Sequence, residues 1–201
     1  MRTIPSRSGF DVTWHMRQLC LDLTSRLAEL HHIDIDRVAF SCSQTRKRTE
    51  YGLWASLTPM RFRGGEPTEV SDGRVYACQR LLNSGGVEML YILTLYLPRF
   101  LNLSTNDKLV TVLHELWHIS PNFDGDIRRH PGRCYVHTSS EREYDAQMEV
   151  LAEKWLALKP SRVTYALLDL SFSQLQRHFG HVIGSRVPRP RIVPIDSADV
   201  S

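Results

Sequence analysis

The chain has no CxxC pair. Its four cysteines, Cys20, Cys42, Cys78 and Cys134, are too scattered for a compact disulfide framework. That excludes a small scaffold held together by crosslinks, and reduced thiols in an intracellular protein are expected. Long hydrophobic runs are missing as well. The longest, "VEMLYILTLYLP" over Val87–Pro98, is too short to cross a bilayer as a helix. The opening "MRTIPSRSGFDVTWHM" lacks the apolar core of a signal peptide. Nor is there an excess of one charge: the formal net charge is +3 and the pI near 8.7, which demands no nucleic-acid partner. There is no internal repeat. A soluble, cytoplasmic protein with no membrane partner is expected.

What is present suits one domain. Of 201 residues, 42% are hydrophobic and 23% charged, enough apolar material for a real core. Residues 1–185 are expected to form that domain. Residues 186–201 contain "VPRPRIVP", with three prolines, and predict an extended or disordered tail.

The periodicity predicts a mixed α+β order. Leu19, Leu23, Leu27 and Leu30 recur at helical spacing, so residues 11–32 read as a helix with Asp11 as its cap. Residues 37–44 and 51–62 read as strands. "RVYACQRLL" and "VEMLYILTLYL", joined by "NSGG" (83–86), predict a hairpin whose second strand is apolar enough to be central. The period then changes. Ser104 with Asp107 fits a capping box, and Leu109, Val112, Leu113, Leu116 and Ile119 give a helical apolar face. Residues 121–137 are expected to be loop. A second helix, with Ser140 and Glu143 as a cap, stops before Pro160. A last helical pattern covers about 162–179 and breaks near Ser171.

The first helix after the strands carries "HELWH", residues 114–118. Residues i and i+4 share a helix face, so His114 and His118 can offer ring nitrogens to one zinc ion at ~2.0–2.1 Å. Glu115 lies about 100° further round the axis. That is too far to join the ligands comfortably, yet close enough to hold a water whose pKa zinc lowers towards ~7. Its carboxylate can accept the water's proton as a carbonyl is attacked and deliver it to the leaving amine. The bland alternative is an ordinary polar helix face.

A catalytic zinc takes three protein ligands and keeps one position open. His130 and His137 lie in the following loop, with Cys134 between them; Asp124, Asp126 and Glu149 are oxygen candidates. Loop length does not choose between His130 and His137. The histidine not used, Tyr144 or Arg129 could donate to a developing oxyanion. Asp124, Asp126 and Asp145 could orient ligand imidazoles, although Asp in a Gly-containing loop is commonly a turn former. Arg128 and Arg129 could face substrate or pair with Asp124 and Asp126. "RKR" (46–48) reads as a solvated turn more readily than as a nucleic-acid contact. Trp117 and Trp155 read as core or half-buried.

"HELWHISPNFDGDIRRH", with "VHTSSEREYD" after it, resembles the phage metallopeptidase family of phages, prophages and some prokaryotes. The likeness is best over residues 36–155 and rests on the core HExxH…FDGxxRxH. It extends distantly to SprT/Spartan-type proteases. The resemblance implies a small zincin-like fold, with a mixed or antiparallel sheet packed against helices that include the HExxH helix. It also implies a zinc peptidase activity, with His114 and His118 as paired ligands, Glu115 as base and His130 as third ligand. It names no substrate beyond a protein or peptide. A phage- or prophage-encoded hydrolase acting in the host cell would fit. On this reading the strand before the HExxH helix should lie near an edge that could pair with an extended substrate. The competing reading is a non-catalytic zinc-stabilised module that binds protein or nucleic acid.

Overall fold

Leucines three and four positions apart commit the chain after Asp11 to a helix with one apolar face. The computed structural model describes residues 9–45, 52–129, 141–161 and 167–195, the side chains of 141–145 excepted. A short strand, β1 (Phe10–Asp11), leads into α1 (Val12–Arg26), and the Asp11 carboxylate caps it by accepting the Trp14 N–H. The helix ends sooner than its leucine pattern: Leu27 turns extended and Leu30 belongs to a single 3-10 turn, though both stay fully buried. Among the described residues there follow β2 (Val38–Gln44), β3 (Ala55–Pro59), β4 (Thr68–Ser71), β5 (Arg74–Cys78), β6 (Tyr91–Leu97), α2 (Thr105–Trp117), α3 (Glu141–Ala157), α4 (Phe172–Phe179) and then β7 (Val182–Ile183). A last strand, β8 (Ile192–Ile195), closes the described chain.

The strands form three small sheets, so the class is α+β. β6 lies between β2, to which it is parallel, and β3, to which it is antiparallel. β5 pairs antiparallel with β4 and β8. β1 and β7 make a parallel pair. The main core gathers α1, β6, α2 and α3. α1 packs on β2, and α2 on β3 and α3. The Trp155 Nε1–H of α3 donates to Asp22 of α1 at 2.8 Å. No helix of the described residues is long and apolar enough to cross a membrane.

Two strand expectations need correction. The hairpin around 83–86 is real only at its tip, where the Asn83 side chain accepts the Gly85 and Val87 N–H groups and Leu82 bridges Glu88. Beyond the tip its arms part, β5 into one sheet and β6 into another. β6 is buried at Tyr91, Ile92, Leu93 and Leu95, on both faces of the strand, and needs strands on both sides. β5 is nowhere fully buried and suits an open sheet. Glu88 marks the parting, held by Arg61 at 2.7 Å and Arg80 at 2.9 Å.

The second correction concerns edges. β6, the strand before the HExxH helix, is central, and the neighbouring edge belongs to β3. The opposite edge, β2, is covered by the chain leading to the C-terminus. The Cys42 N–H donates to the Ser185 carbonyl at 2.8 Å, and the Val187 N–H to the Ser41 hydroxyl at 3.0 Å. Within the proline-rich segment, residues 192–195 pair with β5 as β8, and residues 196–201 lie outside the described residues.

Two helix boundaries match their patterns, and residues 162–166 of the last pattern lie outside the described residues. α3 stops ahead of Pro160. Ser171 caps α4 with a full capping box, its hydroxyl taking the Gln174 N–H while the Gln174 side chain accepts the Ser171 N–H. The Arg46–Arg48 turn and the Ser140 cap lie outside the described residues.

Candidate metal and active site

Ser104 opens α2 by accepting the Asp107 N–H at 3.1 Å. Leu109, Val112, Leu113 and Leu116 are buried against the core. Rotation by 100° per residue leaves Val110, Thr111, His114, Glu115 and His118 as a stripe along another side. That stripe lines a cleft of about 720 Å³. The facing wall is β3 with the residues before it: Gly52, Leu53, Trp54, Ala55, Ser56, Leu57 and Pro59. His118 ends the helix still in helical conformation, its N–H on the His114 carbonyl at 3.2 Å. The two imidazoles therefore lie one turn apart and edge to face, centroids 4.6 Å from each other and planes at 79°.

Glu115 is only 9% exposed. Burial pushes its carboxyl up to about 7, against a small downward pull from the Leu57 backbone N–H. A carboxyl with that pKa sits where proton acceptance and release near neutral pH are both accessible.

β3 presents alternate backbone groups to the cleft side. The Tyr96 N–H donates to the Trp54 carbonyl, and the Met60 N–H to the Leu90 carbonyl, both across to β6. Antiparallel pairing repeats every two residues, so Ser56 and Thr58 also face β6. Ala55, Leu57 and Pro59 face outward, and Pro59 has no N–H to offer, as suits an edge.

The loop after the helix is held from inside. The buried Tyr91 hydroxyl donates to the Asp126 carbonyl and accepts the Gly125 N–H, both at 2.9 Å. Burial raises this phenol to about 12, so it stays protonated and able to donate. Asp126 accepts the Gly64 N–H at 2.8 Å, the Ile127 N–H at 2.7 Å and a two-nitrogen clasp from Arg129. Burial alone would raise its pKa, but these donors outweigh it and hold the carboxyl below the usual carboxylate range. Asp124 accepts the Asp126 N–H, a local turn bond. Arg128 lies over the Trp117 ring, 4.2 Å from its centroid, and donates to the Trp117 carbonyl.

Of the residues singled out in the sequence, His114, Glu115 and His118 come together in one cleft. The Asp126 carboxylate engages Gly64, Ile127 and Arg129. Glu149 is exposed on α3. His130, Cys134 and His137 lie outside the described residues, as do the side chains of Tyr144 and Asp145. Among the described residues no three or more His, Cys, Asp or Glu side chains gather into a metal-holding group. His114 and His118 supply two imidazoles on one face with a buried carboxyl beside them, two of the three protein donors that a catalytic zinc takes.

Sequence reasoning missed the facing wall and the role of Tyr91. The wall's signal was faint: "GLW" stands immediately before a strand with two large apolar side chains. Tyr91 was one tyrosine at the head of an apolar strand. No family model, no curated protein and no solved structure matches the chain.

Proposed function

We propose that the protein is a zinc-dependent endopeptidase with a zincin-like arrangement of sheet and HExxH helix, akin to the phage metallopeptidases its motif resembles. The observation that carries this is the burial of Glu115 beside His114 and His118 in a cleft bounded by a strand edge. When bound, zinc supplies Lewis acidity to a water and to the substrate carbonyl. His114 and His118 hold the ion, with His130 as third ligand and His137 as the alternative. Glu115 accepts the proton of the attacking water and returns it to the leaving amine nitrogen. Ala55 and the Leu57 carbonyl carry the outward backbone groups against which an extended peptide can lie, the Leu57 N–H being engaged by Glu115.

The test is a pair of variants on purified full-length chain. Wild type should contain one zinc per chain and cut unfolded protein substrates. His114→Ala should lose both properties, and Glu115→Gln should keep the zinc and lose the cutting. Retained zinc without proteolysis by wild type on any substrate would favour a zinc-stabilised binding module instead. Proteolysis undiminished in Glu115→Gln would sink the assignment of the base.

A further inference from the structure

We propose that the cleft selects a large apolar side chain of the peptide, next to the bond that is cut, with Leu53, Trp54 and Val110 as the specificity-determining residues. This rests on the peptidase reading above. The first support is the lining. Apart from Glu115 and the two histidines, the described lining residues carry no ionisable side chain; they are Gly, Leu, Trp, Ala, Ser, Pro, Val, Thr and Ile. A charged substrate side chain lying against those residues would lose water and find no countercharge among them, whereas an apolar one only gains.

The second support is exposure on a pinned backbone. Leu53 is 60% exposed and Trp54 43%, unfavourable for large apolar groups unless something covers them. Their backbone is nevertheless fixed. The Leu53 carbonyl accepts from Arg99 at 2.9 Å and the Trp54 carbonyl accepts the Tyr96 N–H at 2.9 Å. Gly52 has φ +133°, and a Cβ there would lie 2.5 Å from an Arg99 nitrogen. The wall is thus held in place before any ligand arrives, which reduces the ordering cost of binding.

The third support is position and size. Val110 lies one helical turn before His114, so the apolar floor runs straight into the proposed metal ligands. A volume of about 720 Å³ falls in the range of ligand clefts and leaves room for an aromatic side chain together with its backbone. The open edge of β3 borders the same cleft, so a peptide lying along that edge would pass over this floor.

The experiment measures binding separately from turnover. Blocked octapeptides that differ only at one central residue are titrated against zinc-loaded Glu115→Gln protein by competition with a fluorescent peptide. Peptides centred on Phe, Leu or Trp should bind about 10- to 100-fold more tightly than those centred on Asp, Glu or Lys. In the same background, Trp54→Ser and Leu53→Ser, both at exposed positions, should each cut that preference to about threefold or less, with zinc content and melting temperature unchanged. No preference, a preference for charge, or a preference that survives both substitutions overturns the proposal. Incubating the same peptides with wild type separates the two ideas. An apolar preference in binding without cleavage refutes the peptidase reading and leaves the selectivity standing. Cleavage indifferent to the central residue refutes the selectivity and leaves the peptidase.

Discussion

The Arg128 backbone N–H donates to the His118 carbonyl at 2.7 Å. Its guanidinium also binds the Trp117 carbonyl and covers the Trp117 ring. The loop that leaves the HExxH helix at Ile119 is therefore brought back to the helix's last turn. His130 follows two residues later, within ~7 Å of chain. His137 follows nine residues later and needs a further reversal. Replacing His130 with Ala should thus weaken zinc binding by more than the ~10–100-fold typical of losing an outer partner. His137→Ala should change it by less than about threefold. Chelator competition gives both constants, and the reverse ranking would assign the third ligand to His137.

Tyr91 ties β6 to the loop through a hydroxyl bonded on both sides, to the Asp126 carbonyl and the Gly125 N–H. Tyr91→Phe leaves two buried backbone groups without this partner, which costs about 1–3 kcal/mol. Urea denaturation should report that loss. Because the loop carries the chain back to His118, zinc affinity should fall too, although no ligand has changed. A variant as stable as wild type would show that the loop holds without its anchor.

Gly125 has φ +90°, and a Cβ there would come within 2.5 Å of the Arg61 side chain. Arg61 has little freedom to withdraw, since its guanidinium is engaged by Glu88 and its N–H by the Gly125 carbonyl. Gly125→Ala combines a disfavoured backbone with a clash, and about 2 kcal/mol or more of destabilisation is expected. The exposed Gly73, also at positive φ but with nothing near its would-be Cβ, is the control. Gly73→Ala should cost only the backbone part.

The parts of this molecule set by neighbours in sequence were legible in it. Ser104 capping α2, the shared face of His114 and His118 and the break at Ser171 all follow from spacings of three or four residues. Pairings between distant segments were not. Nothing local tells β5 to take β8, over a hundred residues away, in place of β6 across a four-residue turn. Nothing local places β3 rather than β6 at the edge beside Glu115. The cleft wall from Leu53 and Trp54, and the hold of Tyr91 on Asp126, depend on that same arrangement. The motif therefore gave the helix side of the site, and only the assembled sheet gave the side facing it.

Lys108 is 1% exposed on α2, its ammonium donating to the Leu168 carbonyl at 2.8 Å and the Leu170 carbonyl at 2.9 Å. Burial pulls its pKa down to about 8, against a smaller upward pull from Asp169. In the unfolded chain the amine titrates near ~10.4. Below pH 8 both states hold the proton, and the folded state bears a constant penalty for the buried charge. Between about pH 8 and 10.4 the folded state gives up its proton first. The unfolded state then binds more protons, so stability from this group rises with pH, by up to ~3 kcal/mol. Lys108→Met lacks the titration. Unfolding free energies of wild type and Lys108→Met, measured in urea at pH 7.5, 9 and 10.2, should therefore diverge in favour of wild type as pH rises. Taking the difference cancels the titrations of tyrosines and cysteines common to both chains. A difference that stays flat across that range would mean the Lys108 amine is not desolvated, and its two carbonyl bonds would then be ordinary surface contacts.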